Sequence, residues 1–432
     1  MSDPGREMYS LMERLYPVCR SLTGDGVRQT LDVIEEQIPL ERTEVPSGTQ
    51  VYDWTLPREW NIREAWLAGP DGERIVDFAD SNLHVLGYSI PVRKRLPLPV
   101  LREHLFSDPE RPDVTPYRTS YHDENWGFCL PHRQLEALAD GEYEAVIDST
   151  LADGWVTYAE CLLPGESEGE VLLSTYLDHP SLCNDNLSGI VLLTALAAEL
   201  RDRQRHYSYR FLFSPATIGP LTWLSRNEER LHRVEHGLVA ACVGDPGPLT
   251  YKRSRRGDTE IDRAAEEVVS AAGGEVRDFT PLGGDERQFC SPGFDLPVGV
   301  LTRTPQDEFP GYHSSADDFD LVRPEHLADS FAAYLAVFEL LESGAHEGNA
   351  TYVNLNPKGE PQLGKRGLYR TVGGGSFTEG ALLWVLNLSD GRHDLKVISA
   401  RSGLPFVEIR EAADQLLEAG LLQSTEERVS QR

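Results

Sequence analysis

Long apolar runs are missing from this chain: no stretch approaches the roughly 20 residues that a membrane-spanning helix requires, which argues against a bilayer-embedded protein. Paired cysteines are missing too. Cys19, Cys129, Cys161, Cys183, Cys242 and Cys290 stand far apart with no CxxC spacing, which disfavours a zinc knuckle and a disulfide framework. Positive charge is scarce, since 41 Lys and Arg face 70 Asp and Glu for a formal net charge of −29. Nucleic acid and anionic membranes both recruit proteins through positive surface, so neither is an expected partner. The opening residues MSDPGREMYSLMERLYP have no apolar signal-peptide core, and the expected location is cytoplasmic. Neither an internal repeat nor a low-complexity tract stands out. The acidic excess is read as a solvated surface that favours solubility.

What is present fits a globular protein of more than one domain: 432 residues, 40% hydrophobic, with seven tryptophans. Met8 to Ile38 carries helical periodicity interrupted at Thr23-Gly24-Asp25-Gly26, predicting two short helices. From Val45 to about Cys129 short strand-like pieces such as Ala65-Trp66-Leu67, Arg74-Ile75-Val76 and Leu83-His84-Val85 alternate with Pro, Gly and Asp turns. This predicts a β-rich insert at 45–129, with the Pro-rich stretch Pro91 to Pro116 leading back to the main domain. From Val171 onward strands alternate with helices, which predicts an α/β sheet covered on both faces in a domain formed by 1–44 and 130–346. Later strands are expected at His206 to Ser214, Gly237 to Gly244 and Leu296 to Thr302.

After Gly373-Gly374-Gly375, three short helices at Phe377 to Leu388, Leu395 to Arg401 and Pro405 to Ala419, then an extended segment from Gly420, give a winged-helix pattern within 351–432. Ten basic and ten acidic residues lie from Thr351 to Arg432, and the third helix carries Glu408, Glu411, Asp414 and Glu418. A helix that enters the major groove is basic, so this unit is read as a packing or dimerisation module, with a homo-oligomer as its expected product.

The chemistry centres on Val171 to Gly189, VLLSTYLDHPSLCNDNLSG. An apolar strand ends at Asp178 and His179, Pro180 breaks it, and Asn184-Asp185-Asn186 precedes a buried helix. Ligands of open α/β sheets sit at the carboxyl ends of strands, and an imidazole and a carboxylate there suit a zinc-like ion. Taken alone, Asp185 fits a helix cap and His179 a hydrogen-bonded strand-end histidine equally well. Asp245 after the Gly237 strand, and His313 in Gly311-Tyr312-His313-Ser314-Ser315-Ala316-Asp317-Asp318, supply two further donors at strand ends.

The ordered set His179, Asp185-Asn186-Leu187-Ser188-Gly189, Asp245 and Tyr312-His313 resembles the zinc aminopeptidases of the M28 type. More closely, Cys19-Arg20-Ser21-Leu22-Thr23-Gly24, Val45-Pro46-Ser47-Gly48-Thr49, Gly284-Asp285-Glu286-Arg287-Gln288 and Cys290-Ser291-Pro292-Gly293 resemble the bacterial DUF4910 aminopeptidase-like proteins over nearly the whole chain. That resemblance implies a zinc-aminopeptidase-like α/β fold: a mixed sheet covered by helices, a β-rich inserted domain and a C-terminal winged helix. It further implies His179, Asp185, Asp245 and His313 as metal ligands. The second metal's glutamate falls at Thr217, so one Zn2+ is expected rather than two. The general base falls at Ala216, which has no proton-accepting group.

Three explanations of Ala216 stand open: an impaired binder, another carboxylate such as Glu286, Asp285 or Glu308 as base, or a replacement that blanks the base and traps substrate. The last is preferred, because the donors remain while only the base position is empty. Arg287 is expected to hold a substrate carboxylate. Trp126 and Tyr312 are expected to wall the substrate site, with His132 nearby. The expected function is a metal-dependent amide hydrolase acting on a small peptide or aminoacylated metabolite. The alternative is a non-catalytic metal- or ligand-binding protein whose winged helix serves assembly or regulation.

Overall fold

A computed structural model describes residues 3–121, 123–348, 351–359, 361–363, 366, 368 and 379–425; of residues 344–348 and 379 only the backbone is described. Gly373-Gly374-Gly375 and Phe377 lie outside the described residues. The chain divides into two compact units, Met1–Phe338 and Glu339–Arg432.

The first unit is built on an eight-stranded sheet. Its strands are β1 (Glu41–Pro46), β2 (Trp155–Leu163), β3 (Glu170–Tyr176), β4 (Ser208–Ser214), β5 (Val234–Ala240), β6 (Thr250–Lys252), β7 (Glu275–Arg277) and β8 (Val298–Thr302). The spatial order is β1-β2-β4-β3-β5-β8-β6-β7. β4, β3, β5 and β8 run parallel, whereas β1 against β2, β2 against β4, and β6 against β8 run antiparallel. This is the expected mixed α/β sheet. Every residue of β3 is buried, as an apolar parallel strand with both faces covered requires. The helix Ser188–Leu200 that follows is apolar almost all round and lies within the core. Helices Pro4–Leu15 and Asp25–Glu35 confirm the two short helices expected near the start.

Three polar side chains sit among this apolar packing and tie three neighbouring strands together. Arg210 on β4 donates from Nε and Nη2 to Glu170 on β3 at 2.6 and 2.8 Å, and from Nη1 to Glu160 on β2 at 2.8 Å. Glu160 also accepts the Trp223 indole N–H at 2.8 Å. The fork of the guanidinium matches the Glu170 carboxylate in a bidentate pair, which fixes alignment as well as charge.

The insert differs from expectation at both ends. Its sheet has four strands in the order Arg74–Asp77, Glu59–Ala68, Glu142–Ala152, Val92–Pro97, all antiparallel. Glu142–Ala152 was expected in the main domain, yet it pairs along Glu59–Ala68, so the insert's sheet runs well past Cys129. At the other end, Val45-Pro46 belong to β1 of the main sheet. The stretch Pro91 to Pro116 is no simple connection, because Val92–Pro97 is a strand of this sheet. Leu83-His84-Val85 is not a strand: Asn82–His84 forms a 3-10 turn in which the Ser81 hydroxyl accepts the Leu83 N–H.

The second unit, described by itself, has helices Glu379–Leu388, Leu395–Ser402 and Phe406–Glu418 around a core that includes Leu382, Ile398, Ile409 and Leu416. A three-stranded sheet runs in the order Asp390–Asp394, Thr351–Asn354, Leu422–Ser424. Gly403 closes the middle helix at φ +69°, a left-handed position that suits glycine. This is the expected winged helix. Among the described residues no helix is long and apolar enough to cross a membrane.

Removing the cation from the three-strand network leaves two buried carboxylates without their partner. Arg210→Ala is therefore expected to lower unfolding free energy by about 3–5 kcal/mol, measured by chemical denaturation. Arg210→Lys, which keeps the charge but loses the fork, should recover only part of that loss.

Candidate metal centre

Three chain segments meet at the carboxyl edge of β3, β5 and β8. The first leaves β3 through Leu177, Asp178 and His179. Its course is held by Arg20, 2% exposed, which donates from Nε to the His179 carbonyl at 2.8 Å, from Nη2 to the Pro180 carbonyl at 2.7 Å and from Nη1 to the Leu15 carbonyl at 2.7 Å. The second segment carries Asp185 into the helix Ser188–Leu200. The third, after β8, carries His313. Asp317 couples the last two: its carboxylate accepts the Asn184 N–H at 2.5 Å and the Asp185 N–H at 2.8 Å, and its carbonyl accepts the Cys183 N–H at 3.0 Å.

These constraints place His179 Nε2 and His313 Nε2 3.2 Å apart. Asp185 Oδ2 lies 3.1 Å from His313 Nε2 and 3.7 Å from His179 Nε2. The Tyr117 ring packs against both imidazoles at centroid distances of 5.2 Å, and Tyr312 stacks on His313 at 3.9 Å. Burial alone would raise the Asp185 pKa, but the imidazoles of His179 and His313 and the Tyr176 hydroxyl outweigh it and hold it at about 2. Asp185 is therefore an anion at neutral pH. Its Oδ2 is buried and accepts no aligned hydrogen bond, and His179 Nδ1 is likewise buried without a partner. A buried carboxylate oxygen without a donor is costly unless a cation completes it. Two imidazole nitrogens and one carboxylate oxygen within 4.8 Å of one another fit a zinc-like ion.

Asp245 does not join this group. Its Oδ1 accepts the Gly247 N–H at 2.8 Å and the Thr304 hydroxyl at 2.5 Å, while Oδ2 accepts the Asn184 amide at 3.0 Å and the Thr304 N–H at 3.2 Å. Both oxygens are committed to protein donors, which corrects the expectation of Asp245 as a ligand. The strand before it ends at Ala240 rather than Gly244, so Asp245 stands in a loop with its own turn.

Position 216 lies at the site's flank, where Ala216 packs with Tyr176, Cys242, Phe309 and Tyr312. Its backbone N–H donates to Asp178 Oδ1 at 2.7 Å, and Asp178 Oδ2 is 3.7 Å from His179 Nδ1. The next N–H, of Thr217, donates to Asp285 Oδ1 at 2.8 Å. Asp285 Oδ2 is buried and unpartnered. Burial, opposed by the Thr217 N–H and reinforced by the charges of Asp178 and Glu286, pushes the Asp285 pKa up to about 7.

The other two carboxylates carry counter-cations. Glu286 is fully buried and ion-paired through Oε1 with Lys252 while its Oε2 has no hydrogen-bond partner, and Glu308 pairs with Arg277. Arg287 Nη2 is 3.5 Å from the Thr217 hydroxyl, at the edge of this loop. Trp126 is not a wall of the site: it is 4% exposed in the insert's core, stacked on His104 at 3.7 Å. His132 bonds Ser107 at 2.9 Å within the insert.

Sequence reasoning missed Arg20, Tyr176, Asp317 and Gln306 as residues of the site. Tyr176 donates to Asp185 Oδ1 at 2.5 Å and accepts from Gln306 Nε2 at 2.7 Å. Gln306 in turn lines a cavity of about 350 Å3 bounded by Val239, Lys252, Leu282, Gly284 and Val300. Arg20 and Asp317 stood inside motifs already singled out, and an arginine amid apolar residues was the available signal.

Residues 9–344 match the family described as "Domain of unknown function (DUF4910)", and residues 350–424 match a winged helix-turn-helix family. A Clostridium acetobutylicum protein whose name pairs polysaccharide biosynthesis with an aminopeptidase-like domain is 52% identical over 426 residues, covering 98% of this chain and 97% of that protein. A C. acetobutylicum crystal structure named as a peptidase has a TM-score of 0.82 at 50% identity, covering 98% of this chain and 96% of that one. The zinc aminopeptidase BSAP of Bacillus subtilis aligns with a TM-score of 0.55 at 14% identity over 78% of this chain and 94% of its own, a likeness of fold.

Asp285 makes stability depend on pH. Its folded pKa of about 7 exceeds the ordinary carboxyl value of about 3.9, so the folded chain keeps a proton that the unfolded chain has released. The resulting stability is full below about pH 4 and is lost as pH rises through about 7. Asp285→Asn, which mimics the protonated side chain, is expected to gain stability relative to the parent between those limits, on the order of a few kcal/mol. Urea midpoints at a series of pH values test this, and a constant difference would contradict it.

Proposed function

The chain belongs to the DUF4910 family, and on that premise we propose that it is a metal-dependent amide hydrolase of aminopeptidase type acting on a small peptide or aminoacylated metabolite. His179 Nε2, His313 Nε2 and Asp185 Oδ2 would hold one zinc-like cation. The observation that carries this reading is the buried Asp185 Oδ2, which accepts no aligned hydrogen bond and lies 3.1 and 3.7 Å from two imidazole nitrogens. The aminopeptidase-like fold supports the reaction class.

A cation at this place supplies Lewis acidity toward a scissile carbonyl and acidifies water toward neutrality. The chain's own residues supply position. Arg20 fixes the carbonyls of His179 and Pro180, and Asp317 fixes the N–H groups of Asn184 and Asp185, so the donors meet before any ion arrives. Such preorganisation reduces what binding must spend on ordering. Asp178 Oδ2 stands 3.7 Å from His179 Nδ1, on the side from which metal-binding histidines are commonly held.

Proton transfer is the weak step. Ala216 carries no acceptor, while Glu286 and Glu308 are tied to Lys252 and Arg277. Asp285 has no such ion pair, one of its oxygens has no hydrogen-bond partner and its pKa is near 7, where a base works best. The methyl group at position 216 also favours the second reading, a metal- or ligand-binding protein that has lost hydrolysis.

Ala216→Glu separates the two. A positioned carboxylate contributes about 10² to 10⁴-fold through general acid–base catalysis. The hydrolase reading expects a gain of that order in the hydrolysis of aminoacyl nitroanilides and dipeptides with zinc added, and loss of the gain in His313→Ala. A folded Ala216→Glu protein as inert as its parent across the panel would favour the binding protein.

A further inference from the structure

A carboxylate that bridges two cations gives one oxygen to each. Asp185 has one oxygen to give. Oδ2 faces the two imidazoles, but Oδ1 accepts the Tyr176 hydroxyl at 2.5 Å. That hydroxyl is itself fixed, because Gln306 Nε2 donates to its oxygen at 2.7 Å and so leaves the Tyr176 proton for Asp185. The Tyr176 ring, 2% exposed, is packed among Ala241, Cys242 and Phe309, with the His179 imidazole 5.1 Å from its centroid. It cannot swing away without opening a void in that cluster.

Asp245 and Thr217 do not replace the blocked oxygen. Four protein donors occupy the two oxygens of Asp245. Thr217 presents a hydroxyl, and Asp178 Oδ1 is taken by the Ala216 N–H. A second cation at Asp185 would find imidazoles already shared with the first and no open oxygen on the carboxylate between them, while hard and borderline cations need an anionic oxygen to offset their dehydration.

Resting on the single-cation reading above, we infer that Tyr176, braced by Gln306, limits this centre to one cation by occupying the Asp185 oxygen that a second one needs. Tyr176 is thus a positioning residue. It also connects the centre to the cavity beside Gln306, so the amide that braces the hydroxyl is itself a wall of that cavity.

Metal stoichiometry tests this without any substrate. The full-length protein is stripped by chelation, titrated with zinc, and its retained metal is measured by mass spectrometry after gel filtration. The unaltered protein is expected to hold one equivalent. Tyr176→His removes the hydroxyl and offers a nitrogen donor beside Asp185 Oδ1, and is expected to hold two. Adding Asp185→Asn, which takes the carboxylate from both cations, must bring retained zinc to one equivalent or fewer, which separates zinc at the centre from zinc on the acidic surface. A folded Tyr176→His protein that stops at one equivalent overturns the inference and leaves the single-cation reading standing. An unaltered protein holding two at the centre overturns the inference as well. An unaltered protein holding none overturns the reading of the centre itself. Should Tyr176→His fail to fold, Tyr176→Phe and Gln306→Leu decide: a second equivalent at higher zinc in either one supports the inference, and one equivalent in both rejects it.

Discussion

Asp317 joins two stretches that lie 132 residues apart in sequence, and the candidate centre depends on that join. Its carboxylate accepts two successive backbone N–H groups at the turn that presents Asp185, from a loop that four residues earlier presents His313. Burial pushes the Asp317 pKa well up, and the two N–H groups work against that shift. Fully buried carboxylates are rare unless their oxygens are satisfied, and here the donors are main-chain groups that helix formation cannot use. Each segment alone is an ordinary loop. Held by Asp317, they bring His313 Nε2 within 3.1 Å of Asp185.

The loop at 216–217 works by a similar logic. Thr217 adopts φ +60°, a left-handed conformation that costs a non-glycine residue on the order of 1–3 kcal/mol. In that conformation consecutive N–H groups reach two different carboxylates, Asp178 and Asp285. The backbone therefore performs its holding role whatever side chain stands at 216, which explains why an alanine there is compatible with an assembled site.

How much of this was legible beforehand follows from what each signal encodes. Apolar periodicity located β3, its helix and the alternation that builds the parallel core, because burial of both faces leaves its mark on every residue. Strand ends and the family resemblance brought His179, Asp185 and His313 to one edge. Asp245 reached the same edge and still failed as a ligand, since whether a carboxylate faces an ion or its own turn depends on Thr304, 59 residues away. The insert's boundary was missed for a related reason. Glu142–Ala152 reads locally as a strand in either domain, and only pairing with Glu59–Ala68 decides which sheet owns it.

Tyr176 shows the limit most clearly. Within VLLSTY it reads as one more large residue of a buried strand, and its ring does pack as one. Its hydroxyl projects past the strand's last rung into a polar setting, a pairing of apolar body and polar tip that a tyrosine supplies and a phenylalanine does not. The same side chain therefore completes the core beneath the centre and satisfies half of the carboxylate above it. Because those two roles are joined in one ring, the number of open oxygens at Asp185 is set by core packing rather than by the metal-binding residues themselves.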